Sequence, residues 1–85
     1  MGDEPTLEGV LAIITRIADR SPAGAGPDTP LTEDGFALDS LCLLRVILAC
    51  EETFQVLFDP DTDFTDQTLK TVRTLFDLIE SKRRG

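Results

Sequence analysis

In three separate stretches of this chain apolar residues return every three or four positions, the spacing of one helical face. The first stretch runs from Thr6 to about Arg20 and aligns Leu7, Val10, Leu11, Ile14, Ile17 and Ala18. Gly9 weakens it by about 1 kcal/mol relative to alanine. The second runs from about Ser40 to Phe54. Its Leu43, Val46, Ile47, Cys50 and Phe54 share a face assigned to the core, with Cys42, Arg45, Ala49 and Glu52 opposite. Leu41, Leu44 and Leu48 fall towards the border, so this helix carries more apolar surface than one core face requires. The third, capped by Thr71 or Thr68, presents Val72, Leu75, Phe76 and Ile79.

The connecting segments are polar or rich in breakers. Ser21-Pro22 ends the first helix, and Ser21 to Pro30 is a loop of Pro, Gly and Ala. A connector that long inside so short a chain is expected to pack back on the helices. Leu31 to Leu38 reads as a turn that sends Leu31, Phe36 and Leu38 inward. Phe64-Thr65-Asp66-Gln67-Thr68-Leu69 reads as a very short helix capped by Thr65. There is no internal repeat, no useful strand-like alternation and no heptad series. The predicted fold is all-α: a small four-helix bundle of three main helices and one short one. It forms a single domain over 1–85, with 1–5 and 82–85 expected to fray.

Composition narrows the function classes. Cys42 and Cys50 are eight residues apart on one helix, roughly 12 Å along its axis and too far to bridge. Neither has the company of a zinc site, so the chain reads as reduced and cytoplasmic. No stretch is long and apolar enough to span a bilayer. Met1-Gly2-Asp3-Glu4-Pro5-Thr6 fits the permissive myristoylation pattern, but its acidic pair and proline favour a disordered start. Met1 and the basic ending suggest a stand-alone chain.

Net charge is −8, and its distribution is uneven. Asp28 to Asp66 hold ten carboxylates against Arg45 alone, whereas 67–85 are net +3 through Lys70, Arg73, Lys82, Arg83 and Arg84. An acidic middle repels nucleic acid and anionic membrane and attracts basic protein surfaces. It also disfavours self-association, so a monomer is expected. Asp59-Pro60-Asp61-Thr62-Asp63 has the spacing that opens a calcium-binding EF-hand loop. The sixth position is Phe64 rather than glycine and the twelfth Lys70 rather than glutamate, so no metal site follows.

Catalysis is hard to assemble from this inventory. The chain has no His, Tyr or Trp, and no Gly-rich phosphate loop. Ser40 has no evident general base, since Asp39 is a poor one at its unperturbed pKa. The chain is therefore expected not to be an enzyme. Ser40 does fall in the first turn of the second helix, where unpaired N–H groups and the helix dipole favour negative charge. On spacing alone, Asp39 or Ser40 could equally be a simple N-cap.

Asp34-Gly35-Phe36-Ala37-Leu38-Asp39-Ser40-Leu41 resembles the D-x-x-x-x-D-S-L attachment motif of acyl carrier proteins and their peptidyl carrier relatives. The likeness continues through Glu51-Glu52-x-Phe54 and through Phe64 to Val72, and covers about Leu7 to Ser81. It implies that Ser40 carries 4′-phosphopantetheine, grafted from coenzyme A by a separate phosphopantetheinyl transferase, with Asp39 helping to present it. It further implies that Leu41, Cys42, Leu44, Arg45 and Leu48 face partner enzymes. Those partners would be a loading ligase or adenylating enzyme and a downstream synthase or transferase. Many family members carry acids just after the Ser-Leu pair and one turn on; here those positions are Cys42 and Arg45. That departure points to dedicated partners, and to a free-standing acyl carrier of specialised-metabolite biosynthesis. Two alternatives stand beside it: an aminoacyl (peptidyl) carrier, and a helical interaction domain in which Ser40 only caps its helix.

Overall fold

The computed structural model describes residues 5–18, 22–32, 34–59, 61–65 and 67–84. Among these residues three helices form, α1 (Leu7–Ile17), α2 (Ser40–Phe54) and α3 (Val72–Arg84), each in contact with the other two. Among the described residues there is no strand, only an isolated bridge between Pro30 and Thr71. The core gathers Val10, Ile13 and Ile14 of α1, Val46, Ile47, Cys50 and Phe54 of α2, and Val72, Leu75 and Ile79 of α3. Ile13 joins the face predicted for α1, whose buried stripe is wider than the spacing suggested. Leu43 and Phe76 pack against the core without being sealed in it.

Thr6 caps α1, its hydroxyl accepting the Gly9 N–H at 2.9 Å. The helix stops earlier than predicted. Ala18 is already extended, at φ −66° and ψ 138°, and its N–H closes on the Ile14 carbonyl. The predicted extension over Asp19 and Arg20 lies outside the described residues. At the other end α3 runs through Arg84, so the frayed end expected at 82–85 is helical as far as that residue. Residues 1–4 and Gly85 lie outside the described residues.

The long connector does pack back, and it does so through its backbone. Thr29 and Pro27 carbonyls accept the N–H groups of Val72 and Arg73, two donors that the start of α3 cannot satisfy internally. Leu31 donates to the Lys70 carbonyl at 2.9 Å, and Arg73 pairs with Asp28 at 3.1 Å on the surface. Thus anchored, the connector drives Leu31 and Phe36 into the core.

The predicted short helix is a single turn. Thr65 and Thr68 bond each other's backbone N–H reciprocally, and Leu69 N–H reaches the Thr65 carbonyl. The helix does not run on through Thr71, whose N–H donates forward to the Thr74 hydroxyl, which in turn donates to the Thr68 carbonyl. Thr71 and Thr74 then repeat the reciprocal pairing and start α3, which settles the cap between the two candidates.

Candidate functional site

The backbone reaches Ser40 through a tight sequence of turns. Gly35 packs against Pro30 so closely that a Cβ would sit 2.1 Å from the Pro30 carbonyl oxygen. Phe36 N–H donates to that same oxygen at 3.0 Å, and Leu38 N–H to the Leu31 carbonyl at 3.0 Å. Ala37 between them is left-handed, at φ 52°. These contacts fix where the chain turns into α2, and hence where its first side chains stand.

Asp39 is the N-cap of α2, in extended geometry (φ −81°, ψ 178°), with its Oδ1 accepting the Cys42 N–H at 2.8 Å. The carboxyl is held below its ordinary value chiefly by that N–H, then by the Cys42 thiol. The Leu41 N–H and the Arg45 charge add to the same direction. Ser40 is the first helical residue and is exposed. The possibility that Ser40 is merely the cap is thereby corrected: Asp39 performs that service, because its carboxylate reaches the third N–H of the turn. The serine hydroxyl is left on the surface beside the positive end of the helix dipole.

Beyond Ser40 the outer face of α2 is apolar. Leu41, Leu44 and Leu48 are 57%, 50% and 52% exposed, so the surplus apolar surface predicted for this helix is not absorbed by the connector. Arg45 is exposed among them. Cys42, expected to be exposed, is half-buried because its thiol turns back to Asp39. Cys50 is sealed in the core, and burial pushes its thiol up to about 12. Ala49, placed on the outer side, is partly buried against the core.

Two depressions open beside the start of α2. One, of about 560 Å3, is lined by Thr32, Asp34, Ala37, Leu38 and Asp39. The other, of about 370 Å3, lies between α2 and the 64–70 turn, with Leu31, Leu38, Leu43, Phe64 and Leu69 in its wall. The Asp59–Asp63 stretch is spent on its own structure. Asp59 Oδ1 accepts the Asp61 N–H at 3.0 Å. Asp63 Oδ2 accepts the Asp59 N–H at 2.6 Å and meets Lys82 Nζ at 2.7 Å.

A family model described as "Phosphopantetheine attachment site" matches residues 8–79. The chain belongs to that family. No curated protein and no solved structure matches it. Domains of the phosphopantetheine-attachment family are carriers that hold 4′-phosphopantetheine covalently and are not catalytic themselves. Their partners in general are the transferase that installs the arm and the synthases or ligases it serves. The all-α fold agrees with the family. Among the described residues, no helix is long and apolar enough to cross a membrane.

The residues around α2's first turn fit such a group. An exposed hydroxyl stands on a helix start whose capping is already provided by its neighbour. One feature escaped the sequence reading: Leu57, just past α2, is 82% exposed. It sits in the run Val56-Leu57-Phe58, which reads as wholly apolar and gives no sign of which residue turns outward.

Proposed function

We propose that Ser40 is the attachment point of the phosphopantetheine arm and that the chain is an acyl carrier of specialised-metabolite biosynthesis. The observation that carries this reading is the division of labour at α2's start: Asp39 caps, and Ser40, next to it, presents an exposed hydroxyl. The arm, once bound, supplies a thiol that holds the cargo as a thioester. The chain's own residues do the rest. Ser40 Oγ offers the nucleophile: its bond to the phosphopantetheine phosphorus of coenzyme A forms as the pyrophosphate bond breaks, adenosine 3′,5′-bisphosphate leaves, and the hydroxyl proton passes to the transferase. Asp39 fixes the turn and helps present the hydroxyl. The first-turn N–H groups and the helix dipole favour the phosphodiester charge.

Leu41, Cys42, Leu44, Arg45 and Leu48 form the face that partners read. An apolar stripe interrupted by a cation favours dedicated partners: the transferase, a loading ligase and a downstream synthase or transferase. The chain is not itself an enzyme in this reading. It works as a monomer in the cytoplasm, a setting consistent with two cysteines that form no disulfide.

Co-expression with a broad-specificity phosphopantetheinyl transferase, followed by intact-mass measurement, tests the assignment. One phosphopantetheine adduct is expected on the native chain and none on Ser40→Ala. An adduct that persists in Ser40→Ala overturns it. The same measurement on protein from its native host reads the cargo, where an aminoacyl mass would overturn the acyl assignment.

A further inference from the structure

Lys70 stands where the connector meets the start of α3. Its carbonyl accepts the Leu31 N–H at 2.9 Å, and Thr71 beside it bridges to Pro30, so its backbone is clamped. The residue is exposed and lines the depression of about 370 Å3 between α2 and the 64–70 turn. Leu31, Leu38, Leu43, Phe64 and Leu69 make that recess apolar. A lysine in such a wall lays its stem along the apolar surface and keeps its head in water, which puts an ammonium at the mouth. Arg73 and Lys82 of α3 are paired with Asp28 and Asp63; among the described residues Lys70 has no ion-pair partner. The neighbouring depression shares Thr32 and Leu38 with this one and adds Asp34 and Asp39. Neither carboxylate lines the recess, where Lys70 is the one charged residue.

We propose that Lys70 is a specificity-determining residue, which selects, among acyl groups carried on the Ser40 arm, those with an apolar body and a carboxylate at the far end. The body sits in the recess and the carboxylate meets the Lys70 ammonium. This rests on the attachment reading and adds the chemistry of the cargo to it. Apolar walls alone discriminate weakly among acyl groups of similar size. One unpaired cation adds a preference that such walls cannot supply. That preference runs against the chain as a whole, whose net charge of −8 disfavours an anionic cargo. The sign of the selection therefore depends on this one side chain.

The test loads the full chain, through a broad-specificity transferase, from adipyl-coenzyme A and separately from the coenzyme A thioester of adipic acid monomethyl ester, the same acyl group with its charge removed. Intact mass certifies each adduct. Cleavage of each thioester by hydroxylamine is then timed, and every rate is divided by that of the same acyl group on coenzyme A. The adipyl chain is expected to be cleaved about two- to fivefold more slowly than its twin, the range open to an exposed ion pair, with the larger amide shift at Lys70. Added salt should shrink the difference. Lys70→Met keeps the stem and should abolish it, Lys70→Arg should retain it, and Lys70→Glu should reverse it. The side chain is exposed, so unchanged melting will certify that the variants fold. Equal protection of the two cargoes, or a difference that survives in Lys70→Met, overturns the proposal and leaves the attachment reading standing. No adduct on the native chain overturns both.

Discussion

At the scale of single residues, the site depends on two side chains doing different work one position apart. Asp39 is committed to the helix start, and this commitment lets Ser40 remain uncommitted. The cysteines divide in a similar way. Cys42 is half-buried with its thiol on Asp39, whereas Cys50 is enclosed and its thiol sits at about 12. Alkylation of the native protein should therefore label Cys42 well before Cys50, and denaturation should erase the difference; equal native rates would refute the placement. Ala37 makes a different point. An alanine at φ 52° carries steric strain that glycine would not, of roughly 1 kcal/mol. Ala37→Gly is expected to raise stability by up to about 1 kcal/mol, measured by urea unfolding. A loss of stability would mean the left-handed turn is not strained.

At the scale of elements, what the sequence revealed depended on whether a signal was local. The bounds of α2 were legible because its start carries Asp39 and its last turn ends in the core residue Phe54. The end of α1 was not legible, since nothing in Ala18-Asp19-Arg20 breaks a helix before Ser21-Pro22. The turn at 65–69 read as a helix because its threonines do cap one. What ended it was the next cap: the Thr71 N–H turns forward to the Thr74 hydroxyl, and the two threonines start α3. Leu57's exposure was hidden because it is set by the backbone bonds that Val56 and Phe58 make to Glu51, which the apolar run itself does not announce. Ser40 and Asp39 were legible as a pair, but which of them caps required the geometry. Gly35 shows how tightly the connector is fitted. Gly35→Ala would force backbone away from Pro30 and is expected to cost about 1–3 kcal/mol. Because the displaced loop leads into Ser40, the rate of phosphopantetheine attachment should fall with it. Wild-type stability in that variant would contradict the close approach.

At the scale of the whole molecule, charge ties the pieces together and makes the fold sensitive to acid. The segment after α2 is fastened to α3 by Asp63, which is 12% exposed and meets Lys82 at 2.7 Å. Its carboxyl is held below the ordinary 3.8, first by the Asp59 N–H and then by Lys82. A carboxylate with a lowered folded-state value stabilises the fold above its unfolded value, and that stabilisation is lost as pH falls through the folded one. Asp39, lowered by the Cys42 N–H, acts in the same direction. Acid has an opposite effect as well, since protonating surplus carboxylates relieves repulsion in a chain of net charge −8. Total stability against pH would mix the two. The difference between the native chain and Asp63→Asn removes most of the shared repulsion. That difference should be positive from about pH 6 down to the ordinary carboxylate range, then shrink towards zero as pH falls through it. Lys82→Met should reproduce part of the loss, and adding it to Asp63→Asn should cost little more, as two ends of one interaction require. A difference that stays constant through acid would show that Asp63 contributes shape without charge.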